Sequence, residues 1–192
     1  MIRGHWQDWW AAIKYFISLL FVRPEEAKNH DVNNEIKKPP DLTETSPLPK
    51  PSAAEQLKTT ALAWIGRDAS PLNRAPQELS CAEAVVTLVN RTWPGTLDEN
   101  IIDTYVLHRA LIHSPRFHGV LDPVPGCIEI SPRSGVAYGH VGIYVEADRI
   151  ASNDSRTGKF ERNYTRMSWR KTFIQGRGLK AYLFVPVDYK VV

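Results

Sequence analysis

Two residues of this chain have the types and settings to do nucleophilic chemistry together, Cys81 and His140. Cys81 stands where "APQELSCAEAVVTLVN" passes from a polar, proline-bearing stretch into an apolar helical pattern. That transition predicts a helix opening at Cys81 with Ser80 as its N-cap. In a first turn the helix dipole and the free N–H groups favour a thiolate, the reactive form of cysteine. The same N–H groups, that of Cys81 included, are placed to hold an oxyanion. A lone cysteine at a helix start is more commonly a small buried hydrophobe, so the assignment leans on a second element.

That element is "PVPGCIEISPRSGVAYGHVGIYVEADRIASNDSRTGKF". It reads as a Pro-Gly turn, a strand, a glycine-bearing loop, and then His140 opening a further strand. Alternation puts His140, Gly142 and Tyr144 on one face and Val141, Ile143 and Val145 on the other, which is the core side. The flanking glycines are expected to leave room for a substrate or for the nucleophile helix. A Cys–His pair also needs a third polar group to fix the imidazole tautomer. The next strand, "RIASNDS", presents Asn153 as the first candidate, with Asp154 and Ser152 as alternatives, because a one-residue register shift exchanges faces. The competing reading of "SNDSRTG" is a plain turn.

Other chemistry-bearing residues divide into weaker candidates and structural ones. Asp68 and Ser70 of "DASP" are candidates for the site floor or for a cap, and Glu83 for a substrate contact or for favouring the first helical turn. Cys127 opens a strand with Ile128 and Ile130 and is expected to be a buried structural cysteine. His108, His113 and His118 are expected to be surface or interface residues. No HExxH or CxxC spacing occurs, so no metal is expected, and cysteine chemistry of the kind read here requires no organic cofactor.

The elements that must position these residues follow from composition. The chain has 192 residues, 43% of them hydrophobic, and a formal charge of only +3. That is room for one ordinary domain plus tails, without the basic face of a nucleic-acid binder. From Trp6 to Val22 an apolar, aromatic face opposes Gln7, Asp8, Lys14 and Ser18. Residues 1–23 are therefore expected to form an amphipathic helix that lies on a membrane or docks on a partner protein. Residues 24–52, with "IKKPPDLTETSPLPKPS", read as a flexible Pro-rich linker. Residues 53–192 read as one α+β domain. Helices are expected over Ala54–Trp64, Cys81–Asn90 and Glu99–Ile112, followed by strands in "GCIEIS", "HVGIYV", "DRIAS" and "AYLFVPV". Helices followed by antiparallel strands imply helices packed on one side of a sheet.

The order of these pieces resembles the NlpC-type and CHAP-type cell-wall peptidases, over roughly residues 60 to 186. "GHVGIY" is the most specific part, and the stretches around Cys81 and after Asn153 are similar to a phage-associated branch. The resemblance implies a papain-like fold, Cys81 as nucleophile, His140 as base and Asn153 as orienting residue; Asp68, Ser70, Glu83 and Asp154 are the weaker candidates for contact with substrate. It implies a hydrolase for a peptide or amide bond of peptidoglycan, carried by a virion or a cell envelope. The chain departs from the pattern twice. Cys127 replaces the family's aspartate after the Pro-Gly turn, and the family's third residue, often histidine, falls on Ser152. Two rivals stand beside this reading. One is an inactive structural or binding protein of a virion or envelope assembly, docked through the first helix. The other is an acyl- or amide-transferring enzyme acting on lipid or protein.

Overall fold

The structure, a computed structural model, describes residues 50–76 and 79–188. The amphipathic helix expected over 1–23 and nearly all of the linker expected over 24–52 lie outside the described residues. The first element, α1 (Ala53–Trp64), is capped by Ser52, whose hydroxyl accepts from the Glu55 N–H at 3.2 Å. It buries Leu57, Ala61 and Trp64 at helical spacing. The second, α2 (Cys81–Thr92), is buried along nearly its whole first two turns, which its run of Ala and Val permits. The third, α3 (Thr104–His113), begins five residues later than its apolar pattern suggests. The reason is local. Asp98 binds the Asn100 N–H in a turn, and Asp103 accepts from the N–H groups of Tyr105 and Val106, fixing the helix start there.

Among the described residues six strands follow: β1 (Phe117–Val120), β2 (Ile128–Ser131), β3 (His140–Glu146), β4 (Arg149–Asp154), β5 (Lys159–Tyr164) and β6 (Tyr182–Pro186). They form one sheet in the order β1-β6-β2-β3-β4-β5, and every pairing is antiparallel. The chain is thus α+β, with helices on an antiparallel sheet.

Strand alternation explains how both faces are filled. Val141, Ile143 and Val145 of β3 join Ala151 and Phe160 in the core beneath α1, α2 and α3. Tyr144 and Ile150 point the other way, into a smaller core with Cys127, Trp169 and Phe173. That second core is a correction to the expectation of helices on one side alone. Its cover is a short helix, α4 (Arg166–Trp169), running into a π-helical turn, Arg170–Gln175. Thr165 and Ser168 form a reciprocal capping box at its start. The segment's many Lys and Arg residues mask the two buried aromatics, so no apolar period announces it. Among the described residues no helix is long and apolar enough to cross a membrane.

Candidate active site

Cys81 opens α2 with its sulfur in reach of three backbone N–H groups, those of Val141, Ala82 and Cys81 itself. The first of these matters most for placement. Val141 directly follows His140, so the sulfur sits against the strand end that carries the imidazole. Cys81 and His140 line one cleft of about 940 Å³, together with Asn153, Asn163, Tyr164 and Arg177. Ser80 precedes the helix as expected, but its side chain makes no capping hydrogen bond; its carbonyl accepts from the Ala84 N–H.

The electrostatics differ from those expected of a helix-activated thiolate. Cys81 is 5% exposed, and burial pushes its thiol up to about 11 despite the N–H groups around it. Desolvation outweighs those backbone N–H groups here. His140 is half-buried as a residue, but its ring is enclosed by aromatics. It stacks on Phe173 with centroids 5.1 Å apart and meets Tyr164 and Trp169, each at 5.4 Å. Burial pulls the imidazole down to about 3; Arg177 adds to that shift and Asp154 opposes it. Both shifts favour a neutral thiol beside a neutral imidazole.

The tautomer of that imidazole can be followed through four groups. Asn163 donates from Nδ2 to the backbone carbonyl of Asn153 at 3.1 Å, which orients the amide. Asn163 Oδ1 therefore accepts from the Ser152 hydroxyl at 2.7 Å. With its one proton so used, Ser152 Oγ accepts from His140 Nε2–H at 2.9 Å. Nδ1 is then the ring's basic nitrogen. The hydrogen bond to the ring thus comes from Ser152, and Asn153 contributes its carbonyl further along the chain of contacts. Register decides this: Ser152 pairs with Gly142, on the His140 face, while Asn153 pairs with Phe160, on the face of the helices.

The glycines have a reason other than the one expected. A Cβ on Gly142 would lie 2.6 Å from Ile150 Cγ2 and 3.0 Å from Ser152 Cβ. One on Gly139 would lie 2.3 Å from Thr104 Oγ1 and 2.4 Å from the Ser131 carbonyl. Neither leaves room for substrate. Gly142 lets β4 bring Ser152 to the ring, and Gly139 lets the loop before β3 close on α3.

Of the remaining candidates, Asp154 lines the cleft, where it ties down the β4–β5 turn by pairing with Arg156. Asp68, Ser70 and Glu83 are not among the cleft-lining residues. They fasten the segment that leads to α2. Glu83, 1% exposed, accepts from the Ser70 hydroxyl and from the N–H groups of Leu72, Arg74 and Ala75. Asp68 accepts from the Ser70 N–H. Glu83→Ala strands three N–H groups and is expected to cost about 3 kcal/mol, or roughly 10 °C in Tm, measured by thermal unfolding of the full chain. Cys127 is fully buried in the second core, and burial pushes its thiol up to about 12. Neither cysteine is in a disulfide. Among the described residues no three His, Cys, Asp or Glu side chains converge as a metal site would require.

No protein-family model and no curated protein matches the chain. The functional argument therefore rests on the cleft itself. Four of its contributors escaped the sequence reading: Asn163, Tyr164, Phe173 and Arg177. Asn163 and Tyr164 lie on β5, whose "KFERNY" is too polar to signal a strand. Phe173 and Arg177 come from the cationic C-terminal segment. The usable signal was the aromatic spacing Trp169–Phe173, an i, i+4 pair.

Proposed function

We propose that the chain is a papain-like thiol hydrolase, of the type of the NlpC and CHAP peptidases, that cleaves a peptide or amide bond of bacterial peptidoglycan. The observation that carries the reading is the shared cleft, lined both by Cys81 at the start of α2 and by His140 at the start of β3. The resemblance of "GHVGIY" and its flanks to those enzymes supports the substrate class. A mildly basic chain suits an anionic wall polymer. The place of action we propose is a virion or a cell envelope, with residues 6–22 as the contact to membrane or virion protein.

The steps follow from the neutral pair. Substrate binds with its carbonyl over the start of α2. Cys81 Sγ attacks the carbonyl carbon while His140 Nδ1 takes the thiol proton. The N–H groups of the helix start hold the oxyanion. Collapse breaks the C–N bond, and the imidazolium returns the proton to the leaving amine. Water then attacks the thioester, giving one proton to Nδ1. The acid leaves and the thiol is restored. Phe173 and Trp169 flank the ring and hold its orientation.

Acid should affect this site late. The folded imidazole titrates well below its unfolded value of about 6.5, so His140 stays an unprotonated base across the mildly acidic range. The expected kcat/KM is flat from about pH 5 to about pH 8, measured on a soluble wall fragment. An acid limb near pH 6.5 would contradict it. The same shift makes stability fall as pH drops from about 6.5 toward about 3, because only the unfolded chain takes the proton in that window.

One observation favours a second reading, an inactive binding protein: Cys81 is as buried as an inert core cysteine. Incubating the full chain with purified peptidoglycan, followed by mass analysis of released products, separates the two. New amine ends released by the parent support the hydrolase. A folded chain that binds walls and releases nothing supports the binding protein.

A further inference from the structure

Three arginines line the cleft, and their partners differ. Arg133 pairs with Asp103, and Arg156 pairs with Asp154. Arg177 has no carboxylate within ion-pair distance among the described residues. Its place is nonetheless fixed. One guanidinium nitrogen donates to the Tyr138 carbonyl at 2.8 Å, and the group lies over the Phe173 ring, 4.9 Å from its centroid. Phe173 in turn stacks on His140. The result is a planar cation one aromatic ring away from the imidazole, with donors left over and opening on the cleft. A guanidinium held in this way offers the parallel N–H pair that matches a carboxylate.

Resting on the hydrolase reading, we propose that Arg177 is a specificity-determining residue that binds a free carboxylate of the substrate, so that the cleft takes acidic peptides. Arg177 and His140 both contact Phe173 and line one cleft with Cys81, so the carboxylate belongs to a residue near the scissile bond. Binding it also completes the site electrically. Arg177 disfavours the imidazolium, and a substrate carboxylate on its guanidinium cancels that effect as the proton moves to Nδ1. Acidic substrates gain in turnover as well as in binding.

The test uses soluble muropeptides with native carboxylates and the same mixture after carbodiimide coupling to ammonia, which converts carboxylates to amides. Amidation is expected to lower kcat/KM of the full chain by about 10- to 100-fold. In Arg177→Gln the native substrate falls to the amidated level and the preference disappears. Arg177→Lys retains part of it. A merely structural role in holding the Tyr138 loop would lower both substrates alike and leave their ratio unmoved, which would overturn the proposal. So would a parent chain indifferent to amidation. Binding of both mixtures to the Cys81→Ala chain, by calorimetry, separates this from the underlying reading. A chain that cleaves neither mixture but prefers carboxylates through Arg177 refutes the hydrolase and keeps the carboxylate site. Equal binding of both mixtures refutes the carboxylate site.

Discussion

Cys81→Ala in the full chain should lower peptidoglycan turnover by on the order of 10⁴-fold or more, with Tm nearly unchanged. The size follows from the role. Without sulfur there is no acyl-enzyme, and the neighbouring imidazole can only recruit water in a cleft not built to hold it. The mildness for folding follows from the packing: alanine differs from cysteine here by one buried sulfur atom, whose N–H contacts add little while the thiol is neutral. The variant should still bind wall fragments, which makes it the proper control for product analysis. Turnover within about threefold of the parent would remove Cys81 from the chemistry altogether. Alkylation provides a second check with a definite sign. Because the thiol titrates near 11 rather than near 9, iodoacetamide should label the free protein slowly at neutral pH and faster as the pH rises toward 11.

Ser152→Ala should lower kcat by about 100-fold with little change in KM. Its hydroxyl is the acceptor that keeps the proton on His140 Nε2, and Nδ1 is basic only for as long as that holds. Asn163→Ala should act in the same direction by another route. Released from Oδ1, the Ser152 hydroxyl can donate to Nε2, which moves the ring proton to Nδ1 and removes the base. Ser152→Thr, which keeps the hydroxyl, should recover part of the rate. Nitrogen chemical shifts of the imidazole read the tautomer directly. An unchanged tautomer in Asn163→Ala, together with full activity, would show that the Ser152–Asn163 contacts do not direct the ring.

The degree to which the site could be read from the sequence varies by residue. Cys81 and His140 were legible because each sits at the start of a strongly patterned element, and the apolar period fixes where such an element begins. Ser152 was legible only as an alternative to Asn153. The choice between adjacent residues of β4 depends on its pairing with β3, where Gly142 meets Ser152, and two neighbouring polar residues do not reveal that register. Asn163 lay beyond reach altogether. It reaches Ser152 across a pairing whose register shifts between Ile150 and Ser152, and a shift of that kind leaves no mark in residue type. The four patterned strands were found within a residue or two, whereas β1 and β5 were not. Phe117 and Phe160 are the only buried residues on those short edge strands, so no alternation develops. Glu83 was misplaced for a related reason. A carboxylate two residues from a nucleophile suggests substrate contact, and only the fold of residues 68–75 back over it shows that its acceptors are already occupied.

The strand order carries a consequence for how the molecule is made. The last of the described strands, β6, lies between β1 and β2, and β1 joins the sheet only through it. A nascent chain that has emerged as far as Gln175 already holds Cys81, His140, Ser152, Asn163 and Phe173. It still lacks the strand that closes the sheet behind β2. Until Tyr182–Pro186 leaves the ribosome, β2 presents a bare edge and β1 has no neighbour. The sheet behind the cleft is therefore closed only after β6 has been made, and a chain stopped short of β6 carries Cys81 and His140 on an open, association-prone scaffold.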